Sequence, residues 1–234
     1  MGDNVGDIVN FNRKKRNISR KRKRIKYSNN SNTPIYLYII GILLVVFIIA
    51  NRLQELINTP VTYLIIGING IIFLLIYTNR LNVNYLGNSY YQTITDNEIY
   101  RVVTAAFTHR EPWHILMNMY SLYNIGTVLE AFMNPYRFLV MYVVIMLVSG
   151  YVSAKCHKNH SPNALCIGAS GVICGLLGVY MVIIFRIMGL SGLRELLPTL
   201  ICLVLMTAAK NIDSIGHFVG LGVGIVYGIL ILLI

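Results

Sequence analysis

The chain has 234 residues, 56% of them hydrophobic and only 12% charged, with a mean hydropathy of +0.62. Soluble domains carry about a quarter charged residues, so this composition excludes an ordinary soluble domain and points to the membrane class. The formal net charge of +11 is concentrated at one end: ten of the 20 Lys and Arg lie between Arg13 and Lys26, opposed nearby only by Asp3 and Asp7.

Residues 1–33 are basic and rich in Asn and Ser, which predicts a disordered cytoplasmic tail that touches anionic lipid. With apolar runs following directly, the tail reads as a topology signal, and no nucleic acid is expected as a partner. The first apolar run, Pro34–Ala50, is near the lower length limit for a span; residues 34–59 are expected to form an extra transmembrane helix and its connector. Pro60–Tyr77 is the second run, and 78–113 is a longer polar loop. Further apolar runs follow at about 114–132, 137–154, 168–188, 194–209 and 215–234, with a turn at Asn134-Pro135-Tyr136 and a polar loop at 155–166. Backbone groups inside lipid must bond within their own segment, so the spans should be helices. The predicted fold is an all-α polytopic membrane protein with a six-helix core over 60–234, preceded by the extra helix. Arg137, Arg186 and Arg194 fall on one side of that core, and Arg80, Arg101, Arg110, Lys155, Lys158 and Lys210 on the other. The second set is larger, which places the 78–113 loop on the cytosolic side and agrees with a cytosolic N-terminus and a real first span.

The four cysteines give no disulfide framework, because Cys174 and Cys202 sit inside apolar runs. Cys156, His157 and His160 form one short cluster without a second ligand pair, so no metal site is expected. No cleavable signal peptide and no cofactor are expected.

Polar groups inside spans are costly and are functional candidates by default. Ser170 lies at the head of the fifth run, in Gly168-Ala169-Ser170-Gly171, with Gly175 and Gly178 beyond. His217 lies near the start of the last run, where Gly216, Gly220, Gly224 and Gly228 recur every four residues. Such small-residue faces let two helix backbones approach closely. If the two stripes meet, Ser170 and His217 meet with them. A serine hydroxyl needs a base to become nucleophilic, and histidine supplies one near neutral pH. Asp213 is one turn before His217 but at the edge of the span, so a dyad is more economical than a triad. His114 and Asn118, at i and i+4 on one helix face, offer donors for an oxyanion together with the Ser170 amide. Each feature alone has a structural explanation: serine among glycines as packing, His217 as a bonded or relay histidine, His114/Asn118 as interhelical glue.

Taken together, these elements resemble the rhomboid family of intramembrane serine proteases over roughly residues 60–234. The GxSG element is Gly168-Ala169-Ser170-Gly171; the terminal His-Gly element is Gly216-His217-Phe218-Val219-Gly220 with Gly224; the HxxxN element is His114 to Asn118, followed by Gly126 and Glu130. Tyr100-Arg101 resembles the aromatic-Arg motif, followed by Thr104, Phe107 and His109. The resemblance implies a six-helix core with a water-filled cavity open to one face of the bilayer. It implies Ser170 as nucleophile, His217 as base, His114 and Asn118 at the oxyanion, and Tyr100-Arg101 in a structural loop lying partly in the membrane. Substrates would be single-span membrane proteins, cut where small or helix-breaking residues allow unwinding. The protein would be an integral multi-pass protein, of the plasma membrane if bacterial. Cys174 departs from the family, which often carries an aromatic residue four positions after the serine. An inactive escort of membrane clients is disfavoured because both Ser170 and His217 are present. A transporter would show inverted repeats or mid-span charges, and a soluble α/β-hydrolase would need glycine where Val172 stands.

Overall fold

The computed structural model of the chain describes residues 58–159, 161–197, 201 and 213–233; the basic tail, the 34–50 run and most of the 194–209 run lie outside them. Helix α1, Pro60–Tyr77, begins on a proline at its first position, where the missing N–H costs no helical bond. After α1 the chain makes a 3₁₀ turn at Val83–Tyr85 and a π turn at Tyr90–Thr95, then the short helix α2, Arg101–Ala106. The polar stretch expected as a loop is therefore largely wound into short turns. Helix α3 is Pro112–Met133 and α4 is Pro135–Cys156. Asn134 between them has φ +77°, and its Oδ1 accepts from the N–H groups of Tyr136 and Arg137 at 3.1 Å, which caps α4. Helix α5 runs Ser170–Glu195 with a break at Gly189, where φ is +61°. Arg194, expected to open the sixth run, instead lies in the last turn of α5. Helix α6 is Ser214–Leu233.

Helices α1, α4, α6 and the Ser170–Gly192 part of α5 are long and apolar enough to cross a membrane. Helix α3 is 22 residues long, about 33 Å at the usual rise and sufficient for the hydrocarbon core, but it carries His114, Asn118, Asn124 and Glu130. Asn118 and Glu130 are buried. Glu130 is fully buried and accepts from the Val61 N–H at 2.9 Å, the Thr62 N–H at 2.7 Å and the Thr62 hydroxyl at 2.7 Å. The first amides of a helix have no partner within it, so this side chain caps α1 and clamps it to α3. Gly126, one turn earlier, leaves room for Thr62: a Cβ there would stand 3.1 Å from the threonine side chain. Phe138, Tyr142 and Ile145 of α4 and Leu122 and Leu129 of α3 fill the centre, against Leu176 and Leu177 of α5.

Helices α5 and α6 run parallel and nearly touch. A Cβ on Gly178 would lie 2.5 Å from the Leu221 carbonyl oxygen, and one on Gly224 would lie 2.8 Å from Gly175 Cα. Gly220 faces the Gly171 carbonyl in the same way. Only hydrogen in place of a side chain permits this approach.

Candidate active site

Ser170 is the first residue of α5 and His217 is in the first turn of α6. The parallel glycine contact brings these two helix starts together, and Ser170 Oγ lies 2.7 Å from His217 Nε2. His217 is buried, at 6% exposure. Its Nδ1 bonds to no group among the described residues. Asp213, considered above as a third member, directs Oδ1 to the Gly216 N–H at 2.8 Å and takes the Ser153 hydroxyl on Oδ2. Cys174, at the position where relatives often have an aromatic ring, is fully buried.

The chain entering Ser170 is held from several directions. Gly168 has φ +110°, a conformation open mainly to glycine. A Cβ there would meet the His114 ring at 2.7 Å and stand 3.5 Å from Asn118 Nδ2. The His114/Asn118 face of α3 thus closes on the residue two before the serine. The Gly168 N–H donates to the Ala105 carbonyl at 2.9 Å, tying this segment to α2. Because α5 starts at Ser170, the first amides of that helix have no acceptor within it.

His109 joins this group; in sequence it stands after the aromatic-Arg motif without an assigned role. It is fully buried; its Nε2 accepts from Asn118 Nδ2 at 2.9 Å and from the Ala169 N–H at 3.4 Å. Its ring meets the His114 ring edge-on at 4.9 Å. Burial, and secondarily His114, lowers the His109 pKa to about 3, so the ring is neutral and Nε2 is free to accept. Asn118 keeps one N–H for another acceptor.

Arg101 is buried and pinned: Nε binds Glu98 at 2.6 Å, and Nη1 donates to the Asn84 and Gly87 carbonyls at 2.8 and 2.9 Å. The guanidinium lies 5.6 Å from the Tyr100 ring. It organises the 78–111 segment from within, so it does not belong among the free loop charges in the topology count. Asn88 extends the anchoring. Its backbone pairs with Cys166 in both directions, at 3.0 and 2.7 Å, and its side chain donates to the Gly150 carbonyl at 2.7 Å. No local pattern marks Asn88, because its partners are distant in sequence.

A cavity lies over the pair, lined by Ser149, Cys166, Gly168, Ser170, Asp213 and His217 among others. It offers about 50 Å³ of water-accessible space, enough for a few water molecules. A serine, a buried histidine and the start of a helix thus meet at one cavity large enough for water.

The family model described as Rhomboid domain matches residues 96–234. YdcA of Bacillus subtilis is 30% identical over 135 residues, covering 55% of this chain and 65% of that protein. Rhomboid protease GluP of the same organism is 31% identical over 132 residues, 55% of this chain and 25% of its own length. Rhomboid protease GlpG of Haemophilus influenzae is 29% identical over 83 residues, 36% of this chain and 41% of its own length. The matched stretches thus span less than two thirds of each of these relatives. With a family match that covers more than half of the chain, on a helical bundle with several membrane-length spans, the chain belongs to the rhomboid family of integral, multi-pass membrane proteins.

Proposed function

We propose that this protein is an intramembrane serine endopeptidase that cleaves transmembrane segments of other membrane proteins. The observation that carries the reading is the 2.7 Å contact between Ser170 Oγ and His217 Nε2, made by residues 47 positions apart on two helices that glycines allow to touch. In this reading His217 Nε2 takes the hydroxyl proton as Ser170 Oγ attacks the scissile carbonyl. The developing oxyanion is met by the Ser170 N–H and by donors from Asn118 and His114. The same proton passes from His217 to the leaving amine, the C–N bond breaks, and an acyl ester remains on Ser170. A cavity water then attacks the ester, giving its proton to His217, which passes it to Ser170 Oγ as the ester C–O bond breaks, releasing the acid and the serine. Neither Asp213 nor a cofactor enters these steps.

The chemistry requires an extended substrate, because a helical carbonyl is engaged in its own hydrogen bond. Single-span proteins with a locally unwound end are therefore the substrate class. Residues 60–234 form the catalytic core, 34–59 a preceding transmembrane helix, and 1–33 a cytosolic tail; in a bacterium the host bilayer is the plasma membrane. The test is cleavage of a single-span reporter in liposomes by wild type and by Ser170→Ala, with fluorophosphonate labelling of the serine. Cleavage and Ser170 labelling confined to wild type are expected. Equal cleavage by folded Ser170→Ala would end the proposal.

A further inference from the structure

Beside the Ser170–His217 pair lies a second cluster that the proposed hydrolysis does not use. His157 follows the end of α4, Cys166 lies in the segment leading to α5, and Asp213 directly precedes α6. Their ligand-capable atoms, one nitrogen, one sulfur and one carboxylate oxygen, all lie within 4.8 Å of one another. His157 Nε2 is 3.9 Å from Asp213 Oδ1. The ligand atoms of a tetrahedral zinc stand about 3.4–3.6 Å apart, given the usual Zn–N, Zn–O and Zn–S lengths. Small side-chain rotations therefore bring these three onto one ion.

Each ligand is already oriented by a hydrogen bond elsewhere. His157 Nδ1 lies 2.8 Å from the Ser153 carbonyl oxygen. A carbonyl only accepts, so Nδ1 carries a proton, and Nε2, which faces Asp213, is the ring nitrogen left to ligate a cation. A histidine whose other nitrogen donates to a carbonyl is the usual arrangement for metal ligation. Asp213 is held by the Gly216 N–H at 2.8 Å and by the Ser153 hydroxyl, and each carboxylate oxygen keeps a further lone pair. The two-way backbone pairing with Asn88 holds Cys166 in place.

We propose that His157 Nε2, Cys166 Sγ and Asp213 Oδ1 form a three-ligand site for a borderline divalent cation of the zinc type, at the rim of the active-site cavity. Imidazole and thiolate select zinc or its analogues over magnesium or calcium, which prefer oxygen alone. The site revises the expectation of no metal. The short Cys156/His157/His160 pattern looked incomplete because the other two ligands come from residues 166 and 213; Cys156 is exposed and outside the cluster, and His160 lies outside the described residues. Cation binding here is independent of whether Ser170 is a nucleophile. An occupied site would tie together the segments that precede both helix starts.

The test uses the full chain in detergent, stripped with chelator and titrated with Co²⁺, then with Zn²⁺. One equivalent of Co²⁺ should give the strong visible bands of tetrahedral cobalt and a thiolate-to-cobalt charge-transfer band, both displaced by Zn²⁺. Cys166→Ser should lose the charge-transfer band, His157→Gln should weaken Co²⁺ binding at least tenfold, and Cys156→Ser should change neither. Wild type without a thiolate band would overturn the proposal, whatever the variants do. So would a band that survives Cys166→Ser and disappears in Cys156→Ser, which would assign binding to the exposed cysteine.

Discussion

Replacing Gly220 by alanine tests the idea that glycine contact sets the Ser170–His217 geometry. A Cβ at position 220 would lie 3.0 Å from the Gly171 carbonyl carbon and nearer still to its oxygen. Normal carbon–oxygen contacts are about 3.3–3.6 Å, and backbone has no alternative rotamer, so α6 must retreat from α5 by roughly 1 Å. The Ser170–His217 distance of 2.7 Å would then pass the limit of about 3.2 Å for productive proton transfer. A 1 Å misplacement costs on the order of 10²-fold in rate, or about 2.7 kcal/mol of barrier. Overpacking alone should cost about 1–3 kcal/mol of stability. Gly222 is on the same helix with nothing within 4 Å of a Cβ, so Gly222→Ala should stay within about twofold of wild type, as an unpacked surface change does. The assay is kcat/KM on a single-span reporter in liposomes, with thermal unfolding of each variant alongside. If Gly220→Ala kept a third or more of wild-type activity, or Gly222→Ala lost as much as Gly220→Ala, the close approach would not be what positions the pair.

His217→Ala should abolish cleavage while leaving the fold intact by circular dichroism. Asn118→Ala should lower kcat about 10²-fold with little change in KM, the signature of a donor used in the transition state; a pure KM effect would contradict that role. Glu130→Ala leaves the α1 amides of Val61 and Thr62 unsatisfied, and should cost on the order of 3 kcal/mol in equilibrium unfolding. His109 makes stability pH-dependent. Its folded pKa of about 3 is below the ordinary 6.5, so between these values the unfolded chain binds the extra proton. Its contribution is complete above pH 6.5 and declines as pH falls, by about 2 kcal/mol at pH 5. Unfolding temperatures at pH 7.5 and 5 should differ less in His109→Gln than in wild type.

The roles of Gly126 and Glu130 as family markers were visible in sequence, but their joint use as a clamp on Thr62 appears only where α1 and α3 meet. Arg101 was counted with the loop charges because sequence shows a charge without its partners. Here three oxygens from Glu98, Asn84 and Gly87 engage it, and it faces inward. His109 offered no periodic signal, since it stands in a turn between α2 and α3 and its partners Asn118 and Ala169 lie on other segments.

The spans were legible because lipid demands long apolar helices, and α1 begins and ends where its apolar run does, at Pro60 and Tyr77. The meeting of Ser170 with His217 was legible because glycine repeats reveal which helix faces must approach. Tertiary structure alone decided what meets at the helix starts: Gly168 bent to positive φ against His114, Asp213 joined to Ser153, and His157 and Cys166 brought beside it. Those contacts join residues tens of positions apart through loops without periodicity, and position in a one-dimensional pattern carries no information about them.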